Sequence, residues 1–414
     1  MRIVMISNYL NHHQIPFCNE ICRQTADAEQ ERAEFFFIQT EPMDAERAGM
    51  GWQSEYDLPY LCKYYEEEVR CHSLLMNAEI VIFGGTERRE LLRERMSQRR
   101  KDQVTFVYSE RLYREGQWKF ISPRGLIDKY QLYTKYRREN AFLMCAGAFV
   151  ASDFSLVHAF PGKKLKWGYF PGFRPLDVDQ LIREKEMRIA ETGRMEVLWA
   201  GRFMPLKHPE YAIRLVRDLK EAGLGGMQIR LHLTMVGGGE MEEELHRLAD
   251  EYGVREDVTF TGFLPPAQVR EQMLASDVYL FTSNHLEGWG AVVNEAMNSG
   301  CVVIASHMAG ATGYLIRHEE NGLVFRSEHY EDLRHVAEQG LGTERQRREM
   351  RKNAYQTIAD TWNERVAAHR FLAFATAVLQ GKEPECEGSG PLSRAVAISP
   401  RKMYNHLVCK KRPC

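Results

Sequence analysis

Residues 277–305 read DVYLFTSNHLEGWGAVVNEAMNSGCVVIA. The run Val278–Phe281 is apolar and short enough for a strand buried on both faces. Thr282–Glu287 is a polar turn, Gly288-Trp289-Gly290 follows, and Ala291–Ser299 has the pattern of a helix stopped at Gly300. Cys301–Ala305 is a second apolar run, rich in Val and Ile. Strand, loop, helix and strand make a βαβ unit, and strands joined through a helix lie parallel. In an open parallel sheet, ligands sit beyond the carboxyl ends of the strands, where helix N-termini point and favour negative charge. Glu287 in the loop and Glu295 on the helix can therefore face one crevice and accept hydrogen bonds from hydroxyl groups. The same two residues also fit a solvated loop carboxylate and a surface helix carboxylate, so this stretch alone leaves both readings open.

At 414 residues the chain is too long for one ordinary core, and two domains of about 150–200 residues are expected. Hydrophobic content of 44% and charged content of 27% are those of a globular protein. A net charge of -2 gives no reason to expect nucleic acid as a partner. No run approaches the ~18 apolar residues of a membrane span. The start MRIVMISNYL reads as a first strand rather than a signal peptide. The nine cysteines show no Cys-x-x-Cys pair and no metal-binding cluster, which fits a reducing cytoplasm and no metal.

The N-terminal half alternates apolar runs with charged helical stretches, the runs being Ile3–Ile6, Phe35–Ile38, Ile80–Phe83, Val104–Val107 and Phe149–Ala151. That alternation predicts a parallel sheet covered on both faces. The loop after the first run holds Asn8, His12 and His13, and the loop after Val104–Val107 holds Glu110 and Arg111. The histidines could bind substrate or carry a proton, or simply pack, and Glu110 could pair with Arg111. Arg88–Lys101 and Arg124–Arg138 are basic with apolar or tyrosine stripes, as in solvated helix faces or in surfaces resting on anionic lipid. Trp167–Pro175, dense in Gly, Pro and aromatics, reads as an interdomain connection.

The second half opens on the strand-like Met195–Ala200, followed by a loop with Arg202 and Lys207, a fork and a point charge that suit phosphate oxygens. Leu231–Val236 ends in Gly237-Gly238-Gly239 before a helical segment, a turn able to cradle phosphate. Val258–Thr261 leads to Gly262-Phe263. Beyond Gly381 no pattern supports a packed element, and 382–414 is expected to be a tail, flexible or lying on the surface.

Gly201-Arg202 with Lys207, Val236-Gly237-Gly238-Gly239, Val258–Phe263, Glu287-Gly288-Trp289-Gly290 with Glu295-Ala296-Met297, and Gly300 before a Val-rich run follow one another in order. In this the chain resembles the retaining glycosyltransferases of family four. The resemblance covers about 195–380 and implies an α/β architecture of the GT-B type, two Rossmann-like parallel-sheet domains facing a central cleft. It implies an acceptor-side domain over 1–172, a connection over 173–194, a nucleotide-sugar-binding domain over 195–360, and a helix over 361–381 that crosses back to the first domain. It assigns Arg202 and Lys207 to the donor diphosphate, Glu287 to the donor sugar, Glu295 to the ribose, and Gly237, Gly238, Phe263, Gly288, Trp289 and Gly290 to the donor pocket. Asn8, His12, His13 and Glu110 fall on the acceptor side. One departure is Gly310-Ala311-Thr312-Gly313, where many members carry a glutamate after paired glycines.

The expected function is transfer of a sugar from a nucleoside diphosphate sugar to a hydroxyl of a glycan or lipid-linked acceptor, with retention and without a metal or other cofactor. Glu287, Arg202 and Lys207 would be catalytic, and the enzyme would be cytoplasmic, with peripheral contact to an anionic membrane as a further possibility. An epimerase acting on nucleotide sugars, or a non-catalytic glycan- or nucleotide-binding module, are the competing readings.

Overall fold

The structure, a computed structural model, describes residues 1–26, 33–43, 55–98, 100–224 and 229–409. The chain divides into two compact units, Met1–Gly172 with Thr361–Ile398, and Phe173–Asp360 with Ser399–Cys414.

The first unit holds a seven-stranded sheet. Its strands are β1 (Arg2–Ser7), β2 (Glu34–Gln39), β3 (Leu61–Lys63), β4 (Ile80–Phe83), β5 (Val104–Ser109), β6 (Ala141–Ala146) and β7 (Lys164–Trp167), in the order β3-β2-β1-β4-β5-β6-β7. All pairings are parallel. Central strands such as Ile80–Phe83 are buried along their whole length, which is why they read as unbroken apolar runs rather than alternating ones. One expected strand is corrected: Phe149–Ala151 lies at the start of the helix Val150–Leu156, and the strand is Ala141–Ala146. A run of three apolar residues fits either state, and the six-residue run before it takes the place in the sheet.

The segment after residue 360 completes this unit. Helix Glu364–Leu379 packs on helix Ile15–Ala26 through an aromatic cluster in which Phe371 meets Phe17 and Phe106 at 6.0 and 5.1 Å. Part of the expected tail is packed rather than flexible. Leu392 to Ala395 runs along edge strand β7, with hydrogen bonds from Lys166 N–H to Ser393 O (2.7 Å) and from Ala395 N–H to Lys164 O (2.9 Å). These bonds satisfy backbone groups that an open sheet edge would leave exposed.

The second unit holds a six-stranded parallel sheet of β8 (Arg194–Ala200), β9 (Arg230–Val236), β10 (Val258–Gly262), β11 (Val278–Phe281), β12 (Val302–Ser306) and β13 (Leu323–Phe325), in the order β10-β9-β8-β11-β12-β13. Within residues 173–194, helix Val178–Thr192 brings buried Lys185 and Glu186 into this unit. Glu186 binds Arg347 (2.6 Å) and Arg351, and Arg351 binds Asp277 (3.1 Å) at the start of β11. Helix Pro400–Val408 closes the unit, Tyr404 donating to Asp332 at 2.8 Å.

Candidate functional site

The strand order of the second unit reverses between β8 and β11, so the chain leaves these neighbouring strands toward opposite sides and opens a crevice at their carboxyl ends. Both expected chemical loops arise there. Lys207, at the end of the short 3-10 turn Pro205–Lys207 after β8, donates through Nζ to Glu287 Oε2 at 2.7 Å. The Ser283 hydroxyl donates to the same oxygen at 2.9 Å. The two loops are clamped beneath this pair. Trp199 Nε1–H donates to Thr282 Oγ1 (2.8 Å), Thr282 donates in turn to Lys207 O (2.5 Å), and Asn284 N–H donates to Leu206 O (2.8 Å). Burial alone would push the Glu287 carboxyl up, but the Lys207 ammonium, the Ser283 hydroxyl and the Gly288 N–H hold it below the ordinary carboxylate value. Glu287 is therefore ionised at neutral pH. Arg202 leaves the same β8 loop and is half-buried.

The glycine turn after β9 packs on that loop at backbone distance. Phe203 N–H donates to Gly238 O at 2.8 Å, and a Cβ on Gly237, at φ +135°, would lie 1.9 Å from Gly201 O. Only glycine fits there. Phe263 lies across Gly238 with its ring 48% exposed, an aromatic face open to a ligand.

Gly288-Trp289-Gly290 is anchored from a third loop, Gly310 and Ala311 donating to the carbonyls of Gly288 (3.0 Å) and Trp289 (2.9 Å). The Trp289 side chain is 1% exposed, with its indole N–H on Asn294 Oδ1 at 2.9 Å. The Trp289 ring is thus a buried anchor, and only the backbone of this residue can meet a ligand. Glu295, on helix Val292–Asn298, is buried and paired with Arg270 Nε at 3.2 Å. Burial pushes its carboxyl up to about 6, against the pull of Arg270 and Arg174. Both glutamates act on the buried phenol of Tyr279, which burial, then Glu295 and Glu287, push well above the usual tyrosine value. Arg270 and Arg174 were not singled out from sequence, because nothing in their neighbourhood marks them and only folding brings them to Glu295, whereas Ser283 was passed over within the polar turn Thr282–Glu287.

In the first unit, Asn8 and the histidines occupy the loop after β1. Asn8 Oδ1 accepts from Tyr9 N–H (2.9 Å) and braces its own turn, and the rings of His12 and His13 lie 3.9 Å apart. His13 meets the edge of Tyr169 at 6.4 Å, and the Tyr169 hydroxyl donates to Glu110 Oε1 at 3.2 Å. Tyr169 thus joins the β1 and β5 loops, a role hidden in a stretch whose Gly and Pro content reads as linker. Glu110 does not pair with Arg111. It pairs with Arg114, while Arg111 sits on buried Asp153 at 3.4 Å.

Comparison with known proteins bears on this arrangement. The family model for Glycosyl transferases group 1 matches residues 183–357. The D-inositol 3-phosphate glycosyltransferase of Acidothermus cellulolyticus is 33% identical over 133 residues, which is 31% of this chain and 29% of that protein. The GDP-mannose-dependent alpha-(1-6)-phosphatidylinositol monomannoside mannosyltransferase of Mycobacterium tuberculosis is 29% identical over 158 residues, 37% of this chain and 39% of that protein. The chain therefore spans about a third of the length of the curated relatives it matches. The crystal structure of Anabaena Alr3699/HepE in complex with UDP superposes with a TM-score of 0.61 at 14% identity, covering 91% of this chain and all of that one. Residues 183–357 thus match the Glycosyl transferases group 1 family, and with its two parallel-sheet units the chain has the GT-B fold.

Proposed function

We propose that the protein is a glycosyltransferase that moves a sugar from a nucleoside diphosphate sugar to a hydroxyl of a glycan or lipid-linked acceptor. The observation that carries this reading is the Lys207–Glu287 pair at the strand-order reversal, beside the glycine turn Gly237-Gly238. Breaking the sugar–phosphate bond leaves negative charge on the diphosphate. Lys207, Arg202 and the loop amides at Gly288 and Gly290 would stabilise that charge, so no metal is part of the proposal. Glu287, kept ionised, would orient the sugar and offset positive charge at its anomeric carbon. Glu295 would accept from the ribose, and Phe263 would cover the nucleotide from its exposed face. Asn8, His12, His13 and Glu110 would serve the acceptor. Retention of configuration, a role in cell-surface polysaccharide or glycoconjugate synthesis, a cytoplasmic location and peripheral contact with an anionic membrane complete the reading.

A thermal-shift screen of the full chain against nucleoside diphosphates and their sugars tests it, since a binder of the folded state raises the melting temperature by mass action. UDP, named with the Anabaena structure, is the first probe. Stabilisation by one diphosphate, abolished in Lys207→Ala, is expected. If no diphosphate or nucleotide sugar stabilises the protein, the reading fails.

A further inference from the structure

Ten large hydrophobic side chains are exposed among the described residues, and five of them fall within thirteen positions of the first unit: Trp118, Ile121, Leu126, Ile127 and Tyr130. Their exposures run from 38% at Leu126 to 67% at Trp118. The segment is not loose. Tyr113 N–H and Gln117 donate to buried Asp153 at 3.2 and 2.8 Å, Leu132 is buried, and Tyr133 packs edge-on against Phe154 at 5.1 Å. Its inner apolar residues are thus already used, and these five form a second, outer face.

Two short elements build that face. Trp118 and Ile121 lie on the 3-10 turn Gln117–Ile121, where residues three apart eclipse one another. Helix Pro123–Leu132 starts at Ser122, whose hydroxyl accepts from Gly125 N–H, and presents Leu126, Ile127 and Tyr130 at i, i+3 and i+4 spacings on one side.

The surroundings are basic. Residues 110–139 contain eight Lys and Arg against four Asp and Glu, a net charge of +4 on a chain whose total is -2. Even the single carboxylate within the helix is overmatched, since Asp128 meets Arg93, Arg89 and Lys129 at 3.0, 3.4 and 3.4 Å. Protruding Trp, Ile and Tyr with a cationic rim is the composition of an element lying in the headgroup region of an anionic bilayer. There the aromatic rings sit at the interface and lysines and arginines reach phosphates.

We propose that 117–130 is a membrane-docking surface whose apolar face enters the headgroup layer of an anionic membrane. This rests on the peripheral-contact part of the function proposed above and supplies the residues that would make the contact.

The test is sedimentation of the full chain with vesicles of phosphatidylcholine alone or with about one-third phosphatidylserine, without donor. Expected is binding to the anionic vesicles, weakened as salt is raised. The double variant Trp118→Ser, Ile127→Ser should lower the partition coefficient at least about tenfold, since each residue withdraws apolar area from water on docking. Arg124→Gln should lower it less and flatten the salt dependence. All three positions are exposed, so an unchanged melting temperature serves as the folding control. The proposal is overturned if the protein fails to sediment with anionic vesicles at low salt, or if the double variant sediments like the parent. It is also overturned if the parent is a dimer that the double variant turns into a monomer, which would assign the face to a second copy. Vesicle binding without any diphosphate-induced stabilisation would sink the transfer reading alone, and the converse result would sink only this surface.

Discussion

Lys207 carries the largest expected consequence for turnover of any single side chain. It is the cation already hydrogen-bonded to Glu287, and its removal takes away a preorganised positive charge and leaves a half-buried carboxylate without its cation. Lys207→Ala should raise the barrier by about 3 kcal/mol, roughly a hundredfold in kcat, read from initial rates at saturating donor. Glu295 sets a pH dependence. Its folded value of about 6 lies above the ordinary 4.5, so the folded state holds a proton that the unfolded state has lost between those values. The stability it contributes is full below pH 4.5 and is lost as pH rises through 6, about 2 kcal/mol in all. Donor affinity should move the opposite way. Only the carboxylate form is a pure acceptor for ribose hydroxyls, so affinity falls as pH drops through 6, and Glu295→Gln abolishes that dependence in titrations from pH 5 to 8. The letters of the chemical loops were visible in the sequence. What they touch was not: that Trp289 is an anchor and that Arg270 holds Glu295 depend on residues far along the chain.

Among the elements, strands buried on both faces could be read directly, because Ile80–Phe83 and Val278–Phe281 are unbroken apolar runs bounded by turns. The edge strands of the first sheet could not. Leu61–Lys63 has three residues, and Lys164–Trp167 alternates Lys with apolar side chains because one face is solvated. The glycine turn after β9 was recognisable as a turn, but its demand for glycine comes from β8. At φ +135°, with a Cβ 1.9 Å from Gly201 O, Gly237→Ala must displace the loop that carries Arg202. Backbone strain alone should cost about 1–3 kcal/mol. The expected result is a lower melting temperature together with loss of diphosphate-induced stabilisation, and a variant that keeps both would show the turn to be more yielding than this packing implies.

For the whole molecule, the division into two parallel-sheet units followed from length and from the alternation of apolar and helical segments. The buried ionic network of the second unit did not, since it joins residues from three separate stretches. Arg351, fully buried between Glu186 and Asp277, is its hub. Arg351→Ala should destabilise that unit by about 3–5 kcal/mol, because it takes one cation from each of two buried carboxylates and leaves Glu186 to Arg347 and Asp277 to Arg188. Denaturant titration followed by circular dichroism would measure it. The path of the chain has a further consequence for biosynthesis. The first unit takes residues 361–398 and the second takes 399–414, so the polypeptide passes from one unit to the other at three points. The strand cover at Leu392–Ala395 is synthesised after the entire second sheet, so the first sheet must wait through translation of the second with its β7 margin unprotected. A ribosome stalled near residue 390 should hold a nascent chain that chaperones retain, whereas emergence of Leu392–Ala395 lets the first unit close.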